Sequence, residues 1–96
     1  MNPVKLDKAP FGRGKYSAVT NVTHRQWDDS FEVDFADGTS ILELHAAIRK
    51  ANRIAPSAGI ARVELDHEFH HGFFVHYDNG QVAEVSWAFV RERAPA

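Results

Sequence analysis

Two stretches of the chain alternate strictly between inward-type and outward-type positions: Phe31-Glu32-Val33-Asp34-Phe35 and Phe73-Phe74-Val75-His76-Tyr77. A period of two is that of a strand with one buried face. Asp37-Gly38 follows the first stretch and Asn79-Gly80 the second. Such pairs predict tight hairpins with a type I′ turn, which needs positive φ at both central positions. The pattern predicts strands over 18–27, 31–36 and 39–44, then a helix over 45–54 with Leu44, Ala47, Ile48 and Ala51 as its apolar stripe. Further strands follow over 60–69, 73–78 and 81–86, with a short helix over 87–93. Pro56, Ser57 and Gly59 end the first helix and link the halves.

The two halves are related. Displaced by 42 residues, Thr23–Lys50 lies over Leu65–Glu92 without a gap. Phe31 then meets Phe73, Val33 meets Val75, Phe35 meets Tyr77, Gly38 meets Gly80 and Arg49 meets Arg91. Trp27 meets Phe69 in the same overlay, so Trp27, Phe31, Phe35, Phe69, Phe73 and Tyr77 are all expected in the core. The expected fold is α+β: two ββ(β)α repeats related by a pseudo-twofold, mostly antiparallel, with one or two short helices.

Composition narrows the classes. The chain has 96 residues, 44% of them hydrophobic and 25% charged, which suits one small globular domain. Without cysteine there is no disulfide framework, thiolate nucleophile or Cys-ligated zinc. The formal net charge of −2 argues against charge-driven nucleic-acid binding. No apolar run is long enough to span a membrane, and the first residues lack the apolar core of a signal peptide, so a cytoplasmic protein is expected. Charge is uneven. Residues 1–17 carry Lys5, Lys8, Arg13 and Lys15 and read as a basic flexible arm; residues 18–96 form the domain, with halves near 18–54 and 60–93. Asp28 to Glu43 is acidic throughout. Phe11-Gly12-Arg13-Gly14-Lys15 lacks the spacing of a P-loop and reads as part of the arm.

Six histidines invite a metal reading, because imidazole and carboxylate suit zinc or nickel. Asp66, Glu68 and His70 are expected on one face of a strand, with His71 beside them and His76 joining across the hairpin. No spacing specific to a known metal centre accompanies them. No serine has the context of a catalytic nucleophile. Phe74 stands on the outward face where the first half has Glu32, and Trp87 and Phe89 lie near the C-terminus, so these aromatics are candidate interface anchors. His76, Glu32 and Asp34 complete that candidate surface.

Several segments also resemble a known family. Asp37-Gly38-Thr39-Ser40-Ile41 ending in Ile48-Arg49, Pro56-Ser57-Ala58, Tyr77-Asp78-Asn79-Gly80 and Ser86-Trp87-Ala88-Phe89-Val90-Arg91-Glu92 resemble the gamma-butyrobetaine-hydroxylase-like N-terminal domain over roughly residues 22–92. The loop after Ile48 is longer here and the link to the second hairpin shorter. The resemblance implies an accessory or interaction domain outside the oxygenase catalytic core. The family's structural zinc, held by cysteines and a histidine, is not carried over to a chain without cysteine.

The sequence thus reads as a non-catalytic accessory domain that docks on a partner protein or on itself, with no resident cofactor, no membrane and no nucleic acid. The second reading is a metal- or small-ligand-binding domain built on the 66–76 histidines, with zinc or nickel as the ion. A small enzyme with its pocket at an oligomer interface is the third.

Overall fold

The protein is described by a computed structural model over residues 17–94. The basic arm assigned to 1–17 lies, but for Ser17, outside the described residues. The element order is β1 (Val19–Arg25), β2 (Ser30–Phe35), β3 (Ser40–Leu44), α1 (His45–Asn52), β4 (Ile60–Leu65), β5 (Gly72–Tyr77), β6 (Val82–Ser86) and α2 (Trp87–Arg93). Two antiparallel three-stranded sheets result, ordered β1-β2-β3 and β4-β5-β6. The α+β class and the two β-β-β-α units are therefore present. Among the described residues no helix is long and apolar enough to cross a membrane.

The two units share their registers. Phe31 pairs with His24 and Glu43, and Phe73 with Leu65 and Val85. Each first strand is irregular at the same place, between Val19 and Asn21 and between Ile60 and Arg62. These registers correct the gapless overlay. From β2 onward the offset is 42, but β1 matches β4 at an offset of 41, so His24 and not Thr23 is the counterpart of Leu65. The extra residue sits in the turn before β5.

That turn also corrects the two first strands. β1 ends at Arg25 and β4 at Leu65, so Trp27 and Phe69 stand in turns, 79% and 58% exposed, and not in the core. Trp27 lies under the Arg25 guanidinium, 4.3 Å from ring centroid to Cζ, while Phe69 stacks on His71 at 5.5 Å.

The hairpin tips differ from the expected type I′ turn as well. Gly38 and Gly80 have φ of 91° and 90°, but Asp37 and Asn79 do not have positive φ. Gly38 N–H donates to Phe35 C=O at 3.0 Å, and Phe35 N–H to Thr39 C=O at 2.9 Å. Tyr77, Gly80 and Gln81 repeat that pattern. This is a three-residue loop, a type I turn closed by a left-handed glycine. The Asp37 carboxylate accepts from Thr39 N–H and Oγ1, at 3.0 and 2.6 Å, and Asn79 Oδ1 accepts from Gln81 N–H. Side-chain bonds of this kind reproduce a turn locally.

Phe31, Val33, Phe35, Phe73, Val75 and Tyr77 point inward and merge with Val19, Ile48, Ala83, Val85 and Val90 into one core. Phe31 and Phe73 meet at 5.6 Å between centroids and are essentially inaccessible. Full burial of such a ring contributes roughly 1.5–3 kcal/mol. The helices cross-link the units reciprocally. Arg49 of α1 lies over Tyr77 of the second unit, and its counterpart Arg91 of α2 lies over Phe35 of the first, at 5.3 and 4.1 Å. Arg91 also binds Asp37 at 2.7 Å.

Helix α1 stops at Asn52, two residues before the expected end. Arg53 adopts φ 53° and ψ 45° and closes the helix with bonds to Arg49 and Lys50 carbonyls. Of the expected stripe only Ile48 is buried; Leu44 and Ala51 are exposed, and His45 takes the second buried place.

Candidate functional site

The predicted interface residues spread over several surfaces. Glu32 and Asp34 stand on the outer face of the first sheet, where Asp34 accepts from Ser40 Oγ at 2.6 Å. Phe74 and His76 stand on the outer face of the second, both half-buried. Phe74 is flanked by Glu64 and Glu84 on the neighbouring strands, and His76 Nε2 meets Glu64 Oε1 at 2.8 Å. That contact holds Glu64 below the usual carboxylate range. Trp87 and Phe89, at the start of α2, are half-buried against the core.

The predicted metal set is not arranged along a strand face. Asp66, Glu68, His70 and His71 occupy the loop 66–71, and only His76 is on a strand. Asp66 acts locally, its carboxylate accepting from the backbone N–H groups of Glu68, Phe69 and His71 at 3.1, 3.2 and 3.3 Å. The Phe69 bond leads in holding that carboxyl below its ordinary value. A carboxylate with three amide donors organises the loop.

A different set of residues converges. His24 on β1, Asp29 in the β1–β2 turn and His45 at the start of α1 bring their ligating atoms within 4.8 Å of one another. Asp29 Oδ1 lies 2.8 Å from His24 Nε2 and 2.9 Å from His45 Nδ1. The far nitrogen of His45, Nε2, lies 2.8 Å from Tyr77 Oη. A carboxylate only accepts, so both facing imidazole nitrogens carry protons; the neutral His45 ring then accepts from the Tyr77 hydroxyl. The chain of bonds runs from the second unit, through α1, to the first turn.

Local geometry explains the convergence. Asp29 has φ 49°, a left-handed conformation that Asp tolerates better than most residues. The turn lets its C=O accept the first N–H of α1, from His45, at 3.1 Å, while its carboxylate reaches both imidazoles. His45 is 2% exposed, edge-on to Phe31 at 5.3 Å and parallel to Tyr77 at 5.9 Å. Burial pushes the His45 imidazole below its ordinary value, against the opposing pull of Asp29, so the neutral ring is favoured. Partial burial would raise the Asp29 carboxyl, but the two histidine bonds outweigh it and hold the group low. Burial likewise raises the Tyr77 phenol, which stays a donor.

The repeat shows how unusual these residues are at their positions. Their counterparts in the second unit are Leu65 for His24 and Trp87 for His45, while Tyr77 stands opposite Phe35. His24, His45 and Tyr77 each stand where the other unit has an apolar residue, and all three meet in one network. Glu43 behaves similarly: it replaces Val85, is 3% exposed, and receives Arg93 Nε at 2.9 Å.

A second departure lies on the surface. Ser86 caps α2 by accepting from Phe89 N–H at 3.1 Å. Its counterpart at the start of α1 is Leu44, which makes no capping bond and is 56% exposed. Leu44 opens onto a surface groove of about 640 Å³ between the helices, lined also by Ala47, Lys50, Ala51, Phe89 and Arg93. Sequence periodicity missed the network because His24, Asp29, His45 and Tyr77 share no motif spacing; of the groove it marked Phe89 as an anchor but placed Leu44 in the helix's apolar stripe. Register-corrected comparison of the halves is the signal that exposes them.

The fold and these sites define an α+β module of two β-β-β-α units. No protein-family model matches the chain, and no curated protein or solved structure matches it either.

Proposed function

We propose that the protein is a non-catalytic accessory module that docks on a partner protein through the groove between α1 and α2. The supporting observation is Leu44. A serine at that position would cap the helix, as Ser86 does in the second unit, and Ser-type caps contribute about 1 kcal/mol. Leucine forgoes the cap and exposes its side chain beside the apolar parts of Ala47, Ala51 and Phe89. Together with Ala47, Ala51 and Phe89, the exposed leucine gives the groove an apolar anchor point for a partner.

Charge selects the occupant. Lys50 lines the groove beside Arg93, whose Nε is held by Glu43, so its partner is an amphipathic segment with apolar anchors and an acidic flank toward Lys50. A second copy meeting the same face would set Lys50 against Lys50. The chain's own first fifteen residues, with four cations and one acid, carry the wrong sign. The helix-in-groove mode, with anchors at i, i+3, i+4 and i+7, fits this description. An accessory role also agrees with the resemblance to the gamma-butyrobetaine-hydroxylase-like N-terminal domain.

The test uses a synthetic amphipathic helix with leucine anchors and glutamate flanks, titrated into ¹⁵N-labelled protein. Shifts confined to residues 44–51 and 89–93 are expected, and Leu44→Ser should abolish them while raising the melting temperature. Unchanged binding by Leu44→Ser, shifts elsewhere, or dimerisation through this face in light scattering would each overturn the proposal.

A further inference from the structure

We infer that His24, Asp29 and His45 form a binding site for a divalent transition-metal ion of the zinc and nickel class, in the first unit alone. Among the described residues these side chains bring two imidazole nitrogens and a carboxylate oxygen within 4.8 Å. Two nitrogens and one oxygen are the donor set such ions prefer over magnesium or calcium. The site lies outside the 66–76 segment and does not depend on the groove.

The geometry is near what an ion requires. Zinc binds imidazole nitrogen at about 2.0–2.1 Å and carboxylate oxygen at about 2.0–2.2 Å, which sets tetrahedral ligand atoms roughly 3.4 Å apart. Asp29 Oδ1 is 2.8 and 2.9 Å from its two partners and the two imidazole nitrogens lie within 4.8 Å of each other, so admitting the ion lengthens the two Asp29 contacts by about half an ångström and brings the imidazoles to roughly 3.4 Å. The adjustment falls on the exposed side. Asp29 is 59% exposed and His24 23%, whereas His45 is fixed by burial and by Tyr77. The exposed flank of Asp29 leaves the remaining coordination position to water.

The internal repeat supplies an independent reason. Leu65 and Trp87 stand where this site has His24 and His45, and both pack against the core. A scaffold that folds with apolar residues at these positions has no structural need for imidazoles there. Placing His24, His45 and Tyr77 at positions that are apolar in the other unit, with all three meeting, is the pattern expected of function overriding stability.

Tyr77 belongs to the site as a positioning residue. Ligating histidines usually fix their orientation by donating the other ring N–H to a neighbour. In the metal-free protein Tyr77 donates to His45 Nε2. Metal binding through His45 Nδ1 moves the ring proton to Nε2, which then donates to the Tyr77 oxygen. His24 likewise moves its proton from Nε2 to Nδ1. Each neutral ring keeps one proton, and ionised Asp29 contributes the single negative charge.

The experiment is a titration of the full chain with Zn²⁺, read by thermal melting and by ¹⁵N spectra of the histidine rings, with Co²⁺ absorption reporting the ligand field. At zinc concentrations about 100 times the dissociation constant, the melting temperature should rise by roughly 11–22 °C. His45 should switch from the Nδ1–H to the Nε2–H tautomer. His24→Ala and Asp29→Asn should each weaken binding at least tenfold, while melting in EDTA shows that both variants still fold. A variant lacking His67, His70 and His71 should bind as the wild type does. Loss of binding in that variant with retention in the two site variants, or no response of the wild type, would overturn the inference.

Discussion

Tyr77→Phe isolates the bond that joins the two units. The substitution removes one hydroxyl from a side chain that is 3% exposed and leaves its ring in the core and under Arg49. What remains is the His45 Nε2 lone pair, buried with a residue that is 2% exposed and deprived of its donor at 2.8 Å. A buried acceptor stripped of its partner costs about 1–3 kcal/mol, because water does not reach it. We therefore expect about 2 kcal/mol of lost stability in urea unfolding, with an unchanged denaturant slope. In a domain of this size that lowers the melting temperature by roughly 8–16 °C. A double-mutant cycle with His45→Phe separates the bond from general packing: Tyr77→Phe should cost less than about 0.5 kcal/mol once the imidazole is gone. A single-mutant loss under about 0.5 kcal/mol, or equal losses in both backgrounds, would refute the buried network as a link between the units.

Other substitutions test the local geometry. Gly72→Ala would drive its Cβ into the Val85 carbonyl oxygen, so a loss above about 2 kcal/mol is expected from chemical denaturation; wild-type stability would contradict the close approach. Arg53→Gly relieves a left-handed residue at the end of α1 and should raise stability by about 0.5–1 kcal/mol; a loss would mean that the side chain matters more than its φ of 53°. Stability should also fall in acid, with a sign set by two groups. His45 is depressed below 6.5, so the unfolded chain binds its proton first, and stability present above that pH is lost as pH falls through the folded value. Asp37 is lowered from 3.8 to about 2, chiefly by the Thr39 hydroxyl and amide, so its contribution disappears only as pH falls through that range. Melting temperatures measured from pH 8 to pH 2 should show both declines, and a rise on acidification from about pH 6.5 to about pH 5 would contradict the His45 assignment.

Much of the architecture was legible because period-two alternation is a direct record of burial. Phe31, Val33 and Phe35 read correctly as inward, as did Phe73, Val75 and Tyr77, and the glycines marked both hairpins. Errors arose where a local rule met a non-local contact. Trp27 and Phe69 look like strand residues by type, but Asp66 gathers three amides and ends the strand before Phe69. Turn type escaped because Asp-Gly serves both the two-residue and three-residue loops, and the choice shows only in the φ of Asp37. One extra residue in the second turn hid the match of His24 with Leu65. The His45–Tyr77 bond spans 32 positions, beyond any local pattern. A histidine on an otherwise apolar helix face carries no mark of its partners until the strands are in register.

The state of the His45 ring in the metal-free protein is the most direct test, since the network and the link between the units both depend on it. Long-range ¹H–¹⁵N spectra of the histidine side chains in EDTA, followed from about pH 8 to about pH 5, give both tautomer and titration. A neutral His45 with its proton on Nδ1 and a midpoint below the ordinary histidine value is predicted. A proton on Nε2 in the neutral ring, or a midpoint at or above the ordinary value, would contradict the buried network.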